Sequence, residues 1–266
     1  MDAAQQFRLS QQAAVRYEQF LGPLMTPFVS ALLEVAGVGP GDDVLDVACG
    51  TGFVARAAAG ATDGRLVGCD LNPAMLEVAA RAAGTAAIEW RQGPAEALPV
   101  DDASFDVVLC QQGLQFVPDL GAALEAAARV LRPGGRFAAT TWAALDRSPY
   151  MRAQYDALTA ALGDEATRTF TAAFRIGTDE LETAAIDAGL LDVDVVEISP
   201  LVHLPSLPGY AADHLSALPW GQALLRSGPD ALAAVARDMT DRLAGHQLAD
   251  GSIEVAFSSL LVTARR

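Results

Sequence analysis

At roughly 150 residues per domain, a chain of 266 residues is one large domain or a domain carrying an elaboration, which excludes a disulfide-dependent miniprotein. Eighteen basic against 33 acidic residues give a formal net charge of -15, which repels a phosphate backbone and turns the expectation from nucleic acid to a small-molecule partner. All 18 basic residues are arginines, so mechanisms that need a lysine, such as a cofactor Schiff base or a P-loop ammonium, are excluded.

With 52% hydrophobic and 19% charged residues the chain is expected to fold around a compact core. No uninterrupted run approaches the roughly 18 apolar residues of a membrane span. The start, Met1-Asp2-Ala3-Ala4-Gln5-Gln6, lacks a basic stretch followed by an apolar one. The expectation is a cytoplasmic protein with no membrane partner. Cys49, Cys69 and Cys110 are odd in number and widely spaced, which reads as packed, reduced thiols and no metal site.

In chain order, Gln11 to Phe20 and Phe28 to Ala36 carry helix-spaced apolar residues on either side of Gly22-Pro23 and Pro27, so residues 1–36 read as a helical arm in two pieces. Val44 to Val47 reads as a first strand, followed by a helical stretch from Phe53 to Ala59. Leu66 to Cys69 is a second strand, and Asn72-Pro73 opens a helix with an Asn cap and a proline at its first position. Ala87 to Trp90 and Phe105 to Leu109 are strands three and four. The Ala-rich helix Leu120 to Leu131 then runs into Pro133-Gly134-Gly135, and Arg136 to Trp142 is strand five.

Five strands separated by helical stretches within about a hundred residues argue for a Rossmann-like, doubly wound α/β fold with a parallel sheet. Beyond it, Tyr150 to Leu162, Glu165 to Phe174, Thr178 to Ala188, Gly209 to Leu218 and Pro229 to Ala244 read as helices. Val193 to Leu204 and Ile253 to Ala264 read as a sixth and a seventh strand.

Ligands of such sheets bind beyond the carboxyl ends of the strands, where the strand order reverses. Strand one ends in Asp46-Val47-Ala48-Cys49-Gly50-Thr51-Gly52, whose glycines allow a tight turn and a close backbone approach at a helix start. Strand two ends in Asp70, 20 residues after Gly50, placed to accept both hydroxyls of a ribose. Together these form an adenosine-binding arrangement. Gly50-Thr51-Gly52-Phe53-Val54-Ala55 also matches a dinucleotide fingerprint, but the acid Asp46 suits a ligand with an amino group better than a pyrophosphate.

From Val44 to Leu131 the sequence resembles the class I S-adenosylmethionine-dependent methyltransferases, especially their quinone-methyltransferase-like small-molecule branch. The segments that carry the resemblance are Val44 to Gly52, Gly68 to Leu76, Gly93 to Pro99 with Ser104 to Val108, and Leu131 to Gly135. The resemblance implies S-adenosyl-L-methionine as cofactor. It places Asp46, Ala48, Gly50 and Gly52 around the methionine part, Asp70 on the ribose, Leu71 and Met75 on adenine, Ala95 and Glu96 at the adenine edge, and Gln111 on the sulfonium side. Two positions depart from the family pattern: Ala48 stands where glycine is frequent, and Pro94 stands where an aspartate accepts from the adenine amino group, leaving Glu96 as a substitute.

The resemblance also implies a sixth strand parallel to the fifth, with the last strand antiparallel between them. The organisation expected is one domain: a helical arm (1–36), a cofactor-binding core (37–142), helical cap insertions (143–175 and 205–250), and the closing elements of the core (176–204 and 251–266). Trp142, Tyr150, Phe170, Phe174 and Trp220 are candidate liners of a capped substrate pocket, with Trp142 and His214 expected on the substrate. His203, near the end of strand six, is the expected general base and His214 the runner-up. Tyr17 on the arm is placed over the methionine carboxylate.

The activity expected is in-line methyl transfer to a small, partly apolar metabolite, releasing S-adenosylhomocysteine, without a metal. Two alternatives stand beside it: a protein that binds the sulfonium cofactor without methyl transfer, and a nicotinamide-dependent oxidoreductase. The oxidoreductase is opposed by Asp46 and by the lack of a Tyr-x-x-x-Lys pair. The residues after strand four, Cys110-Gln111-Gln112-Gly113, lack the Asn/Asp-Pro-Pro-aromatic element that grips a flipped base. Oligomeric state is not encoded in any of these signals.

Overall fold

The computed structural model describes residues 9–228 and 230–266; the first eight residues of the expected arm and Pro229, the expected start of a late helix, lie outside them. Strands Val44–Val47 (β1), Leu66–Asp70 (β2), Ile88–Gln92 (β3), Phe105–Gln111 (β4), Leu131–Trp142 (β5), Leu191–Ile198 (β6) and Ser259–Arg265 (β9) form one sheet in the order β3-β2-β1-β4-β5-β9-β6. The pairs from β3 to β5 are parallel, and β9 runs antiparallel to both β5 and β6. The expected Rossmann-like topology and the antiparallel last strand are both present.

Two-residue periodicity divides the sheet between two cores. Val44, Leu66, Val107, Leu109 and Ala138 face one side, under helices Gln11–Ala36 (α1) and Phe53–Ala58 (α2). Leu45, Val67, Val108, Phe137 and Val262 face the other, under Leu120–Val130 (α4) and Thr178–Asp187 (α7). Helix Pro73–Ala82 (α3) begins as expected, with Asn72 accepting from Ala74 N at 3.0 Å and Pro73 at its first position.

The arm is one helix, not two. Pro23 and Pro27 lie inside α1 and remove two helical N–H donors, while the Thr26 hydroxyl donates to the Gly22 carbonyl at 2.8 Å. Burial of Leu21, Leu24, Phe28 and Leu32, each at most 3% exposed, outweighs the lost bonds. By length and composition α1 is also apolar enough to cross a membrane, a property that uninterrupted apolar runs do not reveal; here those side chains pack on the sheet and the cap.

The expected strands six and seven each break in two. Ser199-Pro200 ends β6, and Phe257-Ser258 separates Ile253–Ala256 (β8) from β9, so that Leu201–Leu204 (β7) pairs with β8 in a second, two-stranded sheet. That ribbon leaves the main sheet and packs through Val202, Leu204 and Val255 into the cap core. The cap comprises Pro149–Leu162 (α5), Asp164–Ala172 (α6), Gly209–Ser216 (α8), Pro219–Ser227 (α9) and Ala231–Arg242 (α10). Helix α9 is additional to those expected. It packs so close to the end of α8 that a Cβ at Gly221 would lie 1.9 Å from Leu215 O.

Candidate functional site

The strand order reverses between β1 and β4, and a cavity opens at their carboxyl ends, enclosing about 1050 Å3 counted to its open mouth. The loop after β1 forms one wall. Gly50 there has φ +54° with nothing within 4 Å of where a Cβ would lie, so its backbone borders open space. Ala48 has φ +54° as well, a conformation that costs a non-glycine residue energy. Its Cβ fits because Gly113 opposite has none: a Cβ added at Gly113 would lie 2.6 Å from it.

Asp46 and Asp70 supply two fixed carboxyl groups to the cavity. Asp46 is 2% exposed and accepts from Ala55 N at 3.0 Å, tying β1 to the first turn of α2. Burial raises its pKa to about 8, an effect opposed by the Ala55 N–H and reinforced by Asp70. Asp70 accepts from Gly50 N and Asn72 N, each at 2.8 Å and each through a different oxygen. The carboxylate is thereby fixed in orientation, with acceptor capacity remaining on both oxygens for a diol. Burial raises its pKa, with those two N–H groups opposing.

Around these acids the structure brings together Tyr17, Ala48, Gly50, Leu71, Met75, Ala95, Glu96 and Gln111, all lining the same cavity. Gln111 Nε2 donates to Met25 O at 3.0 Å and so pins α1 to the end of β4. Asn72 Nδ2 donates to Leu9 O at 3.0 Å and pins the start of the arm. Burial, then Asp70 and Glu18, push the Tyr17 phenol upward, so it stays neutral.

Gly52 departs from expectation. It does not line the cavity; it packs under Trp90, whose Cη2 would be 2.5 Å from an added Cβ, and has φ +84°. Its glycine serves chain turning and ring packing.

A second cavity of about 510 Å3, likewise counted to its open mouth, lies between α1 and the cap and shares Tyr17, Met25, Gln112 and Phe116 with the first. Trp142, Phe170, Phe174 and Trp220 line it as expected; Tyr150 stands behind the wall, its hydroxyl 2.9 Å from His214 Nδ1. His214 lines the cavity, and burial lowers its pKa to about 4, so the ring is neutral.

His203 is corrected. It lies exposed on β7 opposite Glu254 and lines neither cavity, because the kink at Ser199-Pro200 carries β7 away from the strand ends. Sequence reasoning missed Met25, Gln112, Phe116 and Gln154. Met25 was recoverable from Tyr17, Leu21, Leu24 and Phe28, a stripe at helical spacing that continues through the two prolines.

Residues 45–139 match the methyltransferase domain family. That segment is a methyltransferase domain. An uncharacterized protein of Mycobacterium tuberculosis, Rv1405c, is 39% identical over 121 residues, 45% of this chain and 44% of that one. The malonyl-[acyl-carrier protein] O-methyltransferase of Hahella chejuensis is 35% identical over 130 residues, 48% of this chain and 46% of that one. The matched region is thus about half the length of these relatives. Among solved structures, phosphoethanolamine N-methyltransferase 2 of Haemonchus contortus, in complex with phosphomonomethylethanolamine and S-adenosylhomocysteine, superposes with a TM-score of 0.66 at 18% identity. The superposition covers 99% of this chain and 59% of that one and shows a shared fold.

Within the methyltransferase domain, the dinucleotide reading of Gly50 to Ala55 fails on geometry. The Ala55 N–H at the start of α2, a donor a pyrophosphate would use, is already taken by the Asp46 carboxyl group and is not available to a phosphate. The domain's three cysteines are free and buried. Burial pushes Cys69 and Cys110 up to about 12, which keeps those thiols protonated.

Proposed function

We propose that the chain binds S-adenosylmethionine in the cavity at the β1/β4 switch point and transfers its methyl group to a small, apolar acceptor held under the cap. The observation that carries the reading is the pair of joined cavities. One holds two fixed carboxylates and an open glycine turn, and the other, reached past Tyr17, Met25, Gln112 and Phe116, is lined by aromatic and aliphatic side chains.

The residues of the first cavity fit the cofactor's chemistry. Asp70 presents acceptors for a ribose diol, Leu71 and Met75 give an apolar wall for a base, and Glu96, which lines the cavity together with Pro94, can accept from an amino group. Asp46 matches a positively charged amino group, which would hold its carboxyl in the ionised form. When bound, S-adenosylmethionine supplies an electrophilic methyl carbon on a sulfonium.

Held there by Asp46, Asp70 and the Gly50 turn, the cofactor would give up its methyl group to the acceptor atom and leave as S-adenosylhomocysteine, its sulfur keeping the bonding pair, and an oxygen or carbon acceptor would lose its proton to solvent. This chain contributes alignment and water exclusion, through α1 and the aromatic wall of the cap. A ring held near pKa 4 is a poor base at neutral pH, so His214 positions the acceptor and does not take its proton.

The test is incubation with methyl-labelled S-adenosylmethionine and a panel of neutral apolar acceptors, followed by mass spectrometry. The reading expects labelled product and an equal amount of S-adenosylhomocysteine. Tight cofactor binding with no transfer to any acceptor would favour a cofactor-binding protein of another activity.

A further inference from the structure

Resting on the methyl-transfer reading, we propose that Gln154 selects the acceptor: a neutral, planar molecule carrying a hydrogen-bond acceptor and a donor side by side on one edge, such as a hydroxyl next to a carbonyl. Gln154 lies on α5, is fully buried, and lines the second cavity. Neither its Nε2 nor its Oε1 has a hydrogen-bond partner among the described residues, an arrangement that costs stability unless a ligand answers it. A carboxamide offers one donor and one acceptor in a fixed plane, and its complement is a ligand edge with the reverse pair.

Three neighbouring features narrow the class. Trp142, Phe170, Phe174 and Trp220 supply flat apolar surface and favour a planar ring system. No Asp, Glu or Arg lines this cavity among the described residues, so a phosphate, carboxylate or ammonium group would be desolvated without a counter-charge.

The third feature is the pairing of His214 with Tyr150. Only if the Tyr150 hydroxyl donates to Nδ1 is its own proton used. The neutral ring then carries its hydrogen on Nε2, which makes no hydrogen bond to any described residue. His214 therefore presents a second donor to the same cavity, and the acceptor's carbonyl can take bonds from both.

Calorimetric titration separates the possibilities. The probes are 1-hydroxy-2-acetonaphthone, which is neutral with both groups; 1-naphthol, which lacks the carbonyl; and 1-hydroxy-2-naphthoate, which is charged. Each is titrated into wild type and Gln154→Leu, with and without S-adenosylhomocysteine. The proposal expects wild type to bind the ketone best and the naphthoate least. Gln154→Leu should bind the ketone about 10- to 100-fold more weakly, the loss of two hydrogen bonds, and 1-naphthol only about 3- to 10-fold more weakly, the loss of the one its hydroxyl makes, with S-adenosylhomocysteine affinity unchanged.

Leucine fills the same space without stranded polar atoms, so the variant should melt no lower than wild type, which controls for folding. Equal loss for ketone and naphthol, no loss, preference for the naphthoate, or no binding of the ketone by wild type would each overturn the proposal. Failure of S-adenosylhomocysteine alone to bind, with the ketone pattern intact, would count against the cofactor reading and leave the selection by Gln154 standing.

Discussion

Asp46 shows how a single buried side chain couples ligand to proton. Its pKa is raised in the folded state to about 8 by burial, so the stability it contributes is fully present below the ordinary carboxyl value near 4. That contribution is lost as pH rises through about 8. Thermal stability should therefore fall between about pH 4 and about pH 8 and level off above it, and Asp46→Asn should flatten that slope. A cationic amino group beside Asp46 reverses the preference and favours the carboxylate. Binding of S-adenosylhomocysteine near pH 7 should then release protons, measured by calorimetry in buffers of different ionisation enthalpy, and Asp46→Asn should abolish the release; proton-neutral binding by wild type would contradict this role.

Gly52 tests a different statement at the same scale. With φ +84° and Trp90 in the way of any Cβ, Gly52→Ala should cost about 1–3 kcal/mol of stability, read as a lower melting temperature. Its effect on cofactor affinity should follow that loss of folding and show no direct contact. A variant that is as stable as wild type would mean the packing against Trp90 has been misjudged.

Among the elements, α1 does the most joining. Its first turns pack on Met75 and Val78 beside the cofactor cavity, its middle on the cap, and its last turns on the sheet. Pro23 and Pro27 remove backbone bonds between the part whose start Asn72 holds and the part buried under β4 and β5, with Gln111 bonded to Met25 O between the two prolines. Hydrogen exchange should accordingly be faster for residues 11–22 than for 28–36 in the free protein, and S-adenosylhomocysteine should slow the first segment selectively. Uniform exchange along α1, unchanged by ligand, would remove it as a cover for the site.

The same elements show which parts of the fold were legible. Strands β1 to β5 announce themselves because each is an apolar run bounded by glycine, proline or an acid, and Asn72-Pro73 marks a helix start with its own chemistry. The cap was harder to read. The breaks at Ser199-Pro200 and Phe257-Ser258 lie inside apolar patterns that satisfy one long strand as well as two short ones. Helix α9 was hidden because Gly221, which permits its close approach to Leu215, looks locally like a loop residue. At the site, Asp46, Ala48, Gly50 and Asp70 line the cavity where the turn chemistry put them and Gly52 does not, whereas His203 was placed by assuming an unbroken strand. Gln154 gave no signal at all: a glutamine on an amphipathic helix is ordinarily solvated, and only the packed cap shows it facing inward without a partner.

Taken as a whole, the molecule is a seven-stranded sheet whose strand carboxyl ends are roofed by elements drawn from four separate stretches of chain: α1, α5–α6, β7 with α8–α10, and β8. The roof turns an open switch-point crevice into two joined cavities of opposite character, charged below and neutral above. That division is the central claim, and its lower half is the most direct to test.

The measurement is calorimetric titration of wild type and Asp70→Ala with S-adenosylhomocysteine and, separately, with reduced nicotinamide dinucleotide. The account predicts that wild type binds the first and not the second, and that Asp70→Ala weakens binding by about 100-fold, the loss of two hydrogen bonds to a charged acceptor. Wild-type protein that ignores S-adenosylhomocysteine, or an Asp70→Ala variant that binds it as tightly as wild type, would contradict it.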